Sequence, residues 1–240
     1  MTDAIPFKGK APHAYRELKR RILTFALEPG QLLNEADLVD ELALGRTPIR
    51  EAIQRLAAEK LVVARPRQTP FVAPILAHEL AEIVEIRLVL EVPAARLAAE
   101  RGSAQQRERL GMAGTQFREH AGRPDDGTGI LTSDAAIHGL IAAMSRNTFM
   151  ADYAERLASF SQRIWWLSVQ NTHRDEGFVR CHDELIATVC AGDVNAAGRA
   201  AEAHVELFRT RLGRLLQVIP TGAVTGEAPL RPDRSAPGSA

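Results

Sequence analysis

The chain has little that would carry it out of a cell or into a membrane. Only two of its 240 residues are cysteines, Cys181 and Cys190. At that spacing on one helix they would face opposite ways and lie ~13 Å apart, beyond disulfide reach. That excludes a fold held by cystines and points to a reducing, cytoplasmic setting. No apolar run approaches the ~20 residues of a membrane-spanning helix, and the first residues lack the apolar core of an export signal. No membrane partner is expected. Neither sign of charge is in excess, with 30 Lys+Arg balancing 30 Asp+Glu. A neutral chain is not built to coat nucleic acid indiscriminately, although a small basic reading surface remains compatible with it. What is present, 45% hydrophobic and 25% charged residues, is the composition of a globular protein with one large or two small domains.

Charge and texture divide the chain. Through Leu76 there are 12 Lys/Arg against 9 Asp/Glu, and the remainder carries 18 against 21. The fold is read as mainly α: a flexible arm over 1–12, a winged helix-turn-helix over 13–75, an all-α bundle of six to seven helices over 77–218, and a disordered Gly/Pro/Ser/Ala tail over 219–240. In the first part, Tyr15, Leu18, Ile22 and Leu23 space a helix over 14–25, and Leu38 and Leu42 a second over 35–43. Thr47 is expected to cap a third helix with Pro48 at its first position. Ile49, Ala52, Ile53 and Leu56 make its buried stripe, while Arg50, Gln54 and Arg55 project from the other side. Leu61–Ala64 and Phe71–Val72 flank a basic, polar tip and read as a small hairpin. From Pro74 onward, Ala/Leu/Glu/Arg segments predict helices over 77–101, 105–120, 131–145, 148–169, 175–191 and 194–217, the first kinked at Pro93.

The bundle's informative feature is where its histidines fall. At 3.6 residues per turn, His182 lies mid-stripe among Phe178, Leu185, Ile186 and Val189. His204 lies likewise among Ala197, Ala200, Ala201, Leu207 and Phe208, and Asp134 and His138 sit one turn apart beside Leu131, Ile137 and Ile141. One inward histidine is ordinarily a hydrogen-bonded core residue. Three with an adjacent carboxylate are a different matter, because buried polar groups need partners and a divalent cation would satisfy all four together. Imidazole and carboxylate donors suit zinc first, with nickel or manganese as alternatives. His13, His78, His120 and His173 show no such convergence and read as surface or loop residues. Arg87 is also inward, in line with Leu80, Ile83 and Val84, with Glu91 one turn on. It reads either as an internal ion pair with Glu91 or a subunit contact, or as a guanidinium fork for a carboxylate ligand. Arg211, on the stripe of His204, is a second such residue.

Taken together these segments resemble a known family. Leu27-Glu-Pro-Gly-Gln-Leu-Leu-Asn-Glu-Ala-Asp-Leu38, then Gly45-Arg-Thr-Pro-Ile-Arg-Glu-Ala52, then Leu61-Val62 resemble the DNA-binding domain of GntR-type transcription regulators. Arg87-Leu-Val-Leu-Glu91, Asp134-x3-His138, Asn147, His182 and His204 resemble the metal-binding FCD branch of the FadR-type ligand domain. The resemblance covers about Ala14 to Gln217. It implies that Arg46, Thr47, Arg50 and Gln54 face the DNA major groove and its phosphates, and that Arg67 reaches the wing-tip groove. It also implies that Asp134, His138, His182 and His204 bind the metal, and that Arg87, Asn147 and Arg211 contact a small carboxylate effector. The function it implies is a ligand-responsive, homodimeric repressor of a pseudo-palindromic double-stranded DNA operator, not an enzyme. The rival reading is a metal-dependent enzyme acting on a small carboxylate at the same Asp/His centre. The sequence departs from the family pattern in places: Gly45 stands where Ser is usual, Ala36 where some members have Arg, Thr69-Pro70 where the wing usually has Gly, and Cys181 where an acidic residue is common.

Overall fold

A computed structural model describes residues 9–123, 128–171 and 176–218. The first eight residues of the expected arm, the whole expected tail, and His173 lie outside the described residues.

The N-terminal unit is three helices and a hairpin. Helix α1 (Lys10–Leu23) turns Ala14, Leu18 and Ile22 fully inward. It starts at Lys10, so residues 10–12 are helical and not part of an arm; Pro12 falls in the first turn, where no intrahelical donor is required. Helix α2 (Glu35–Leu42) is capped by Asn34, whose Oδ1 accepts the Ala36 N–H at 3.0 Å. Helix α3 (Arg46–Ala58) buries Ile49, Ala52, Ile53 and Leu56, the expected stripe. Its cap differs from expectation. Gly45 holds the cap position with no side-chain bond, and Thr47 and Pro48 are already inside the first turn. Pro48 is tolerated there because the first-turn N–H groups have no intrahelical acceptor. Arg55 is exposed on the far side of the stripe, as expected, and its guanidinium also lies 3.7 Å from the centre of the Tyr15 ring, so it fastens α3 to α1. Strands β1 (Val62–Val63) and β2 (Phe71–Val72) pair antiparallel, Val62 opposite Val72, and Leu32 bridges to Phe71. At the wing tip Arg67 takes a left-handed backbone (φ 61°), a conformation glycine adopts more readily.

Six further helices form the bundle: α4 (Ala77–Arg101), α5 (Ala104–Gly122), α6 (Thr128–Met144), α7 (Thr148–Asn171), α8 (Glu176–Ala191) and α9 (Val194–Val218). Helix α4 is one continuous element through Pro93 and packs along α9. Small residues of α4 and α9 (Ala95, Ala98, Ala99, Ala197, Ala200, Ala201) meet Phe117, Ile137, Leu185 and Val189 in an aliphatic core. Arg107 of α5 ties the bundle's ends, donating to the carbonyls of Val189 (2.6 Å), Cys190 (2.9 Å) and Ala99 (2.7 Å). It thereby satisfies carbonyls that a helix C-terminus leaves without partners, and it fixes α8, which carries His182. No described helix is long and apolar enough to cross a membrane.

The two units touch through α1 against α7 and through the segment after β2. Arg163 of α7 is 1% exposed and donates from Nη2 to the Ala73 carbonyl at 2.7 Å. Burial pushes its guanidinium down to about 10. A fully buried cation held by a linker carbonyl ties the position of α7 to the joint between the units.

Candidate functional site

The histidines converge. His138 from α6, His182 from α8 and His204 from α9 offer nitrogen atoms that all lie within 4.8 Å of one another. Asp134, one turn before His138, places Oδ1 2.9 Å from His182 Nε2 and 3.7 Å from His138 Nε2. The outer nitrogens have their own neighbours. His182 Nδ1 lies 2.9 Å from the Phe178 carbonyl, which can only accept, so that nitrogen carries a proton. Arg87 Nη2 lies 3.2 Å from His204 Nε2. An arginine can only donate, so His204 Nε2 is the acceptor and its Nδ1–H faces Cys181 Sγ at 3.4 Å. His138 Nδ1 faces Glu91 Oε2 at 3.6 Å, while His138 Nε2 is buried with no hydrogen-bond partner among the described residues.

The electrostatics are unequal across the cluster. Burial holds the imidazoles of His138 and His204 below their ordinary value, His204 well below, so both are neutral near pH 7. Burial also disfavours a charged His182, but its bonds to Asp134 and Cys181 overcome this and push it up to about 10. Asp134 is held below the usual carboxylate range: burial opposes this, and His138, His182 and Arg87 outweigh it. The set of donors fits a divalent cation. Neutral imidazoles and an ionised carboxylate are the ligand forms such ions require; His138, His204 and Asp134 already hold those forms, His182 must give up a proton to reach its own, and the orphaned His138 Nε2 is an atom a metal would satisfy.

Beside the cluster a cavity of about 60 Å³ is walled by α4, α6, α7, α8 and α9, with Arg87, Glu91 and Arg211 among its polar residues and Leu157, Ala158 and Leu207 among its apolar ones. It is smaller than the ~150 Å³ that accommodates benzene in an engineered apolar core. Arg87 pairs with Glu91 and also faces the cavity. Its Nε and Nη2 bind Glu91 at 2.5 and 3.2 Å, its guanidinium lies 4.3 Å from the centre of the Phe208 ring, and it still lines the cavity. The Arg211 guanidinium lies 4.8 Å from the centre of the Phe178 ring at the cavity wall.

Asn147 does not join them. It is not among the cavity residues; its Oδ1 accepts the Met150 N–H at 3.2 Å and so caps α7. Its family match has a local structural reason, namely an orphan donor at a helix start. Asn147→Ala should therefore cost about 1 kcal/mol of stability, read by urea unfolding, and leave metal content and acid binding unchanged. A fall in acid affinity at unchanged stability would return Asn147 to the site.

On the other unit, Arg46, Thr47, Arg50 and Gln54 are exposed along the start of α3, and Arg67 is exposed at the wing tip. Arg50 is 62% exposed and its Nε donates to Glu35 Oε2 at 2.7 Å, so α2 orients it without covering it. Ser161, on the cavity wall, was missed by reading the sequence; the signal available was a hydroxyl in line with Ala154, Leu157 and Ala158 on α7.

Residues 10–72 match the family described as bacterial regulatory proteins, gntR family, and residues 82–207 match the FCD domain. The chain belongs to the GntR family and carries an FCD domain. Its relatives agree. The transcriptional regulator YdhC of Bacillus subtilis is 27% identical over 195 residues, 79% of this chain and 85% of that protein. The transcriptional repressor RspR of Escherichia coli is 26% identical over 207 residues, 85% and 90% of the two chains. The solved structure of E. coli McbR/YncC superposes with a TM-score of 0.74 at 22% identity, covering 87% of this chain and 98% of that one, and supports the fold. This GntR regulator is a DNA-binding transcription regulator and not an enzyme, which sets aside the metallo-enzyme reading of its helical half. Its FCD domain carries a three-histidine cluster that could hold a metal ion.

Proposed function

We propose that this GntR regulator is a cytoplasmic repressor that grips a pseudo-palindromic operator as a homodimer and releases it when a small carboxylate enters the FCD cavity. The observation that carries the reading is a three-histidine cluster with an adjoining aspartate, set against a cavity that two arginines also line. Asp134, His138, His182 and His204 would hold a divalent cation, zinc on the chemistry of the donors, with nickel or manganese as alternatives. Such an ion supplies a Lewis-acidic docking point for a carboxylate oxygen. Arg87 and Arg211 offer guanidinium groups to the same ligand, and Glu91 keeps Arg87 oriented. Arg46, Thr47, Arg50 and Gln54 would meet the major groove and Arg67 the groove beside the wing. Two half-sites call for two reading heads, and a ligand can change operator affinity only by favouring one arrangement of those heads over another. Helix α7 supports that coupling, since Leu157 and Ala158 line the cavity and Arg163 holds the linker carbonyl of Ala73.

The test is selection of bound DNA from a random pool by full-length protein, followed by binding of the selected site. Arg50→Ala should weaken that binding by about 1–3 kcal/mol and relax base preference. A pool that yields no consensus, or an Arg50→Ala protein that binds the selected site as the parent does, would overturn the assignment.

A further inference from the structure

Buried polar atoms without partners single out one more residue in the cavity. Among the described residues four buried side-chain atoms lack a hydrogen bond: His138 Nε2, Ser161 Oγ, and Nε and Nη1 of Arg163. Two of those side chains, His138 and Ser161, line the same cavity. A metal at the histidines accounts for His138. It does not account for Ser161, which lies on α7, a helix that contributes none of the Asp/His ligand set.

A helical hydroxyl normally resolves its own need by bonding to the carbonyl one turn earlier. Five others in this bundle do so: Thr115 to Gly111, Thr132 to Thr128, Ser133 to Gly129, Thr188 to Glu184 and Thr210 to Glu206. Ser161 does not, and its neighbours on the α7 wall, Ala154, Leu157 and Ala158, are apolar. A buried hydroxyl kept unbonded in an otherwise apolar wall discriminates against ligands that cannot bond it, because they leave it desolvated.

We propose that Ser161 is a specificity-determining residue of the effector cavity, its hydroxyl reading a second oxygen, hydroxyl or oxo, that the acid carries besides its carboxylate. The proposal rests on the acid-sensing reading above. The small cavity volume limits the ligand to few heavy atoms unless a wall moves, which favours short acids over fatty or aromatic ones.

The experiment is calorimetric titration of zinc-loaded full-length protein with matched pairs: acetate and glycolate, propionate and lactate, butyrate and 3-hydroxybutyrate. At least one oxygenated member should bind about tenfold more tightly than its plain partner, the worth of one buried hydrogen bond. In Ser161→Ala that ratio should collapse to near one, with zinc content unchanged. A preference that survives in Ser161→Ala belongs to chelation by the metal and overturns the role of Ser161. Binding without preference in the parent protein overturns the reading of a second oxygen by Ser161 even if the variant fails to fold. Absence of binding by every acid in both proteins overturns the acid-sensing reading itself.

Discussion

Glu91→Ala should destabilise the protein by about 3–5 kcal/mol, measured by urea unfolding of the metal-free form. The carboxylate binds Arg87 through both oxygens at 2.5 and 3.2 Å, and Arg87 is 4% exposed. Removing the acid leaves a buried guanidinium whose remaining polar neighbour is His204, and the cost is that of an uncompensated charge more than of a lost attraction. Removing both ends should cost much less: Arg87→Leu combined with Glu91→Leu restores a neutral wall, and the two substitutions should be strongly non-additive. The pH dependence has a definite sign. Burial alone would raise the Glu91 carboxyl, but Arg87 and His138 hold it below its usual range. A depressed carboxylate contributes stability that is present above its unfolded value and is lost as the pH falls, so the parent should lose an acid-side increment that Glu91→Ala never had. A second readout follows from the same side chain facing His138 Nδ1 at 3.6 Å. Partners that orient a ligating histidine are worth about 10–100-fold in metal affinity, and Glu91→Ala should show a loss of that order. Unchanged unfolding in the single variant would mean that Arg87 finds another acceptor and that the ion pair is incidental.

The helical stripes made much of this legible. His182 and His204 are spaced with Leu185, Val189, Ala197 and Ala201 at helical intervals, and a 3.6-residue period places such residues on one face whatever the tertiary details. The Asp134–His138 pair could be placed for the same reason. Periodicity gives the face of a helix, however, and not which helix lies opposite. It could offer Glu91 to Arg87 along α4, but it could not bring Glu91 to His138 on α6 or Cys181 to His204 on α9, because those contacts are set by packing between elements. Asn147 shows the reverse case: the family match points to a ligand contact, while the bond its side chain makes answers the need of a helix start. Thr47 was misplaced by two positions because a threonine before proline is a good cap by composition, whereas the backbone of Gly45 supplies the extended residue that opens α3. Periodicity puts Ser161 in line with Ala154, Leu157 and Ala158 but does not show that its hydroxyl is left unbonded, and it gives no sign that the Arg163 cation is fully buried on a linker carbonyl; both are set by packing between elements.

Metal uptake near neutral pH should release about one proton, and that proton should come from His182. Its imidazole is fully buried yet pushed up to about 10, because the Asp134 and Cys181 bonds outweigh the burial that would otherwise lower it. His138 and His204 are already neutral and Asp134 already ionised, so His182 is the ligand that must change state when a cation arrives. Affinity for zinc should therefore rise about tenfold per pH unit from neutrality toward the value of His182. Calorimetry in two buffers of different ionisation enthalpy gives the proton count directly. The metal-free protein should follow the opposite trend. A histidine raised on folding contributes stability that is fully present below its unfolded value, about 6.5, and is lost as the pH climbs through its folded value. Between pH 7 and 10 the metal-free form should melt progressively earlier while the loaded form gains from tighter binding. His182→Ala should abolish both trends, and His204→Ala should release the metal with the DNA-reading unit still folded. A proton count near zero, or equal metal in His182→Ala and the parent by elemental analysis, would mean that the cation does not displace the Asp134–His182 pair and that the centre must be built from other ligands.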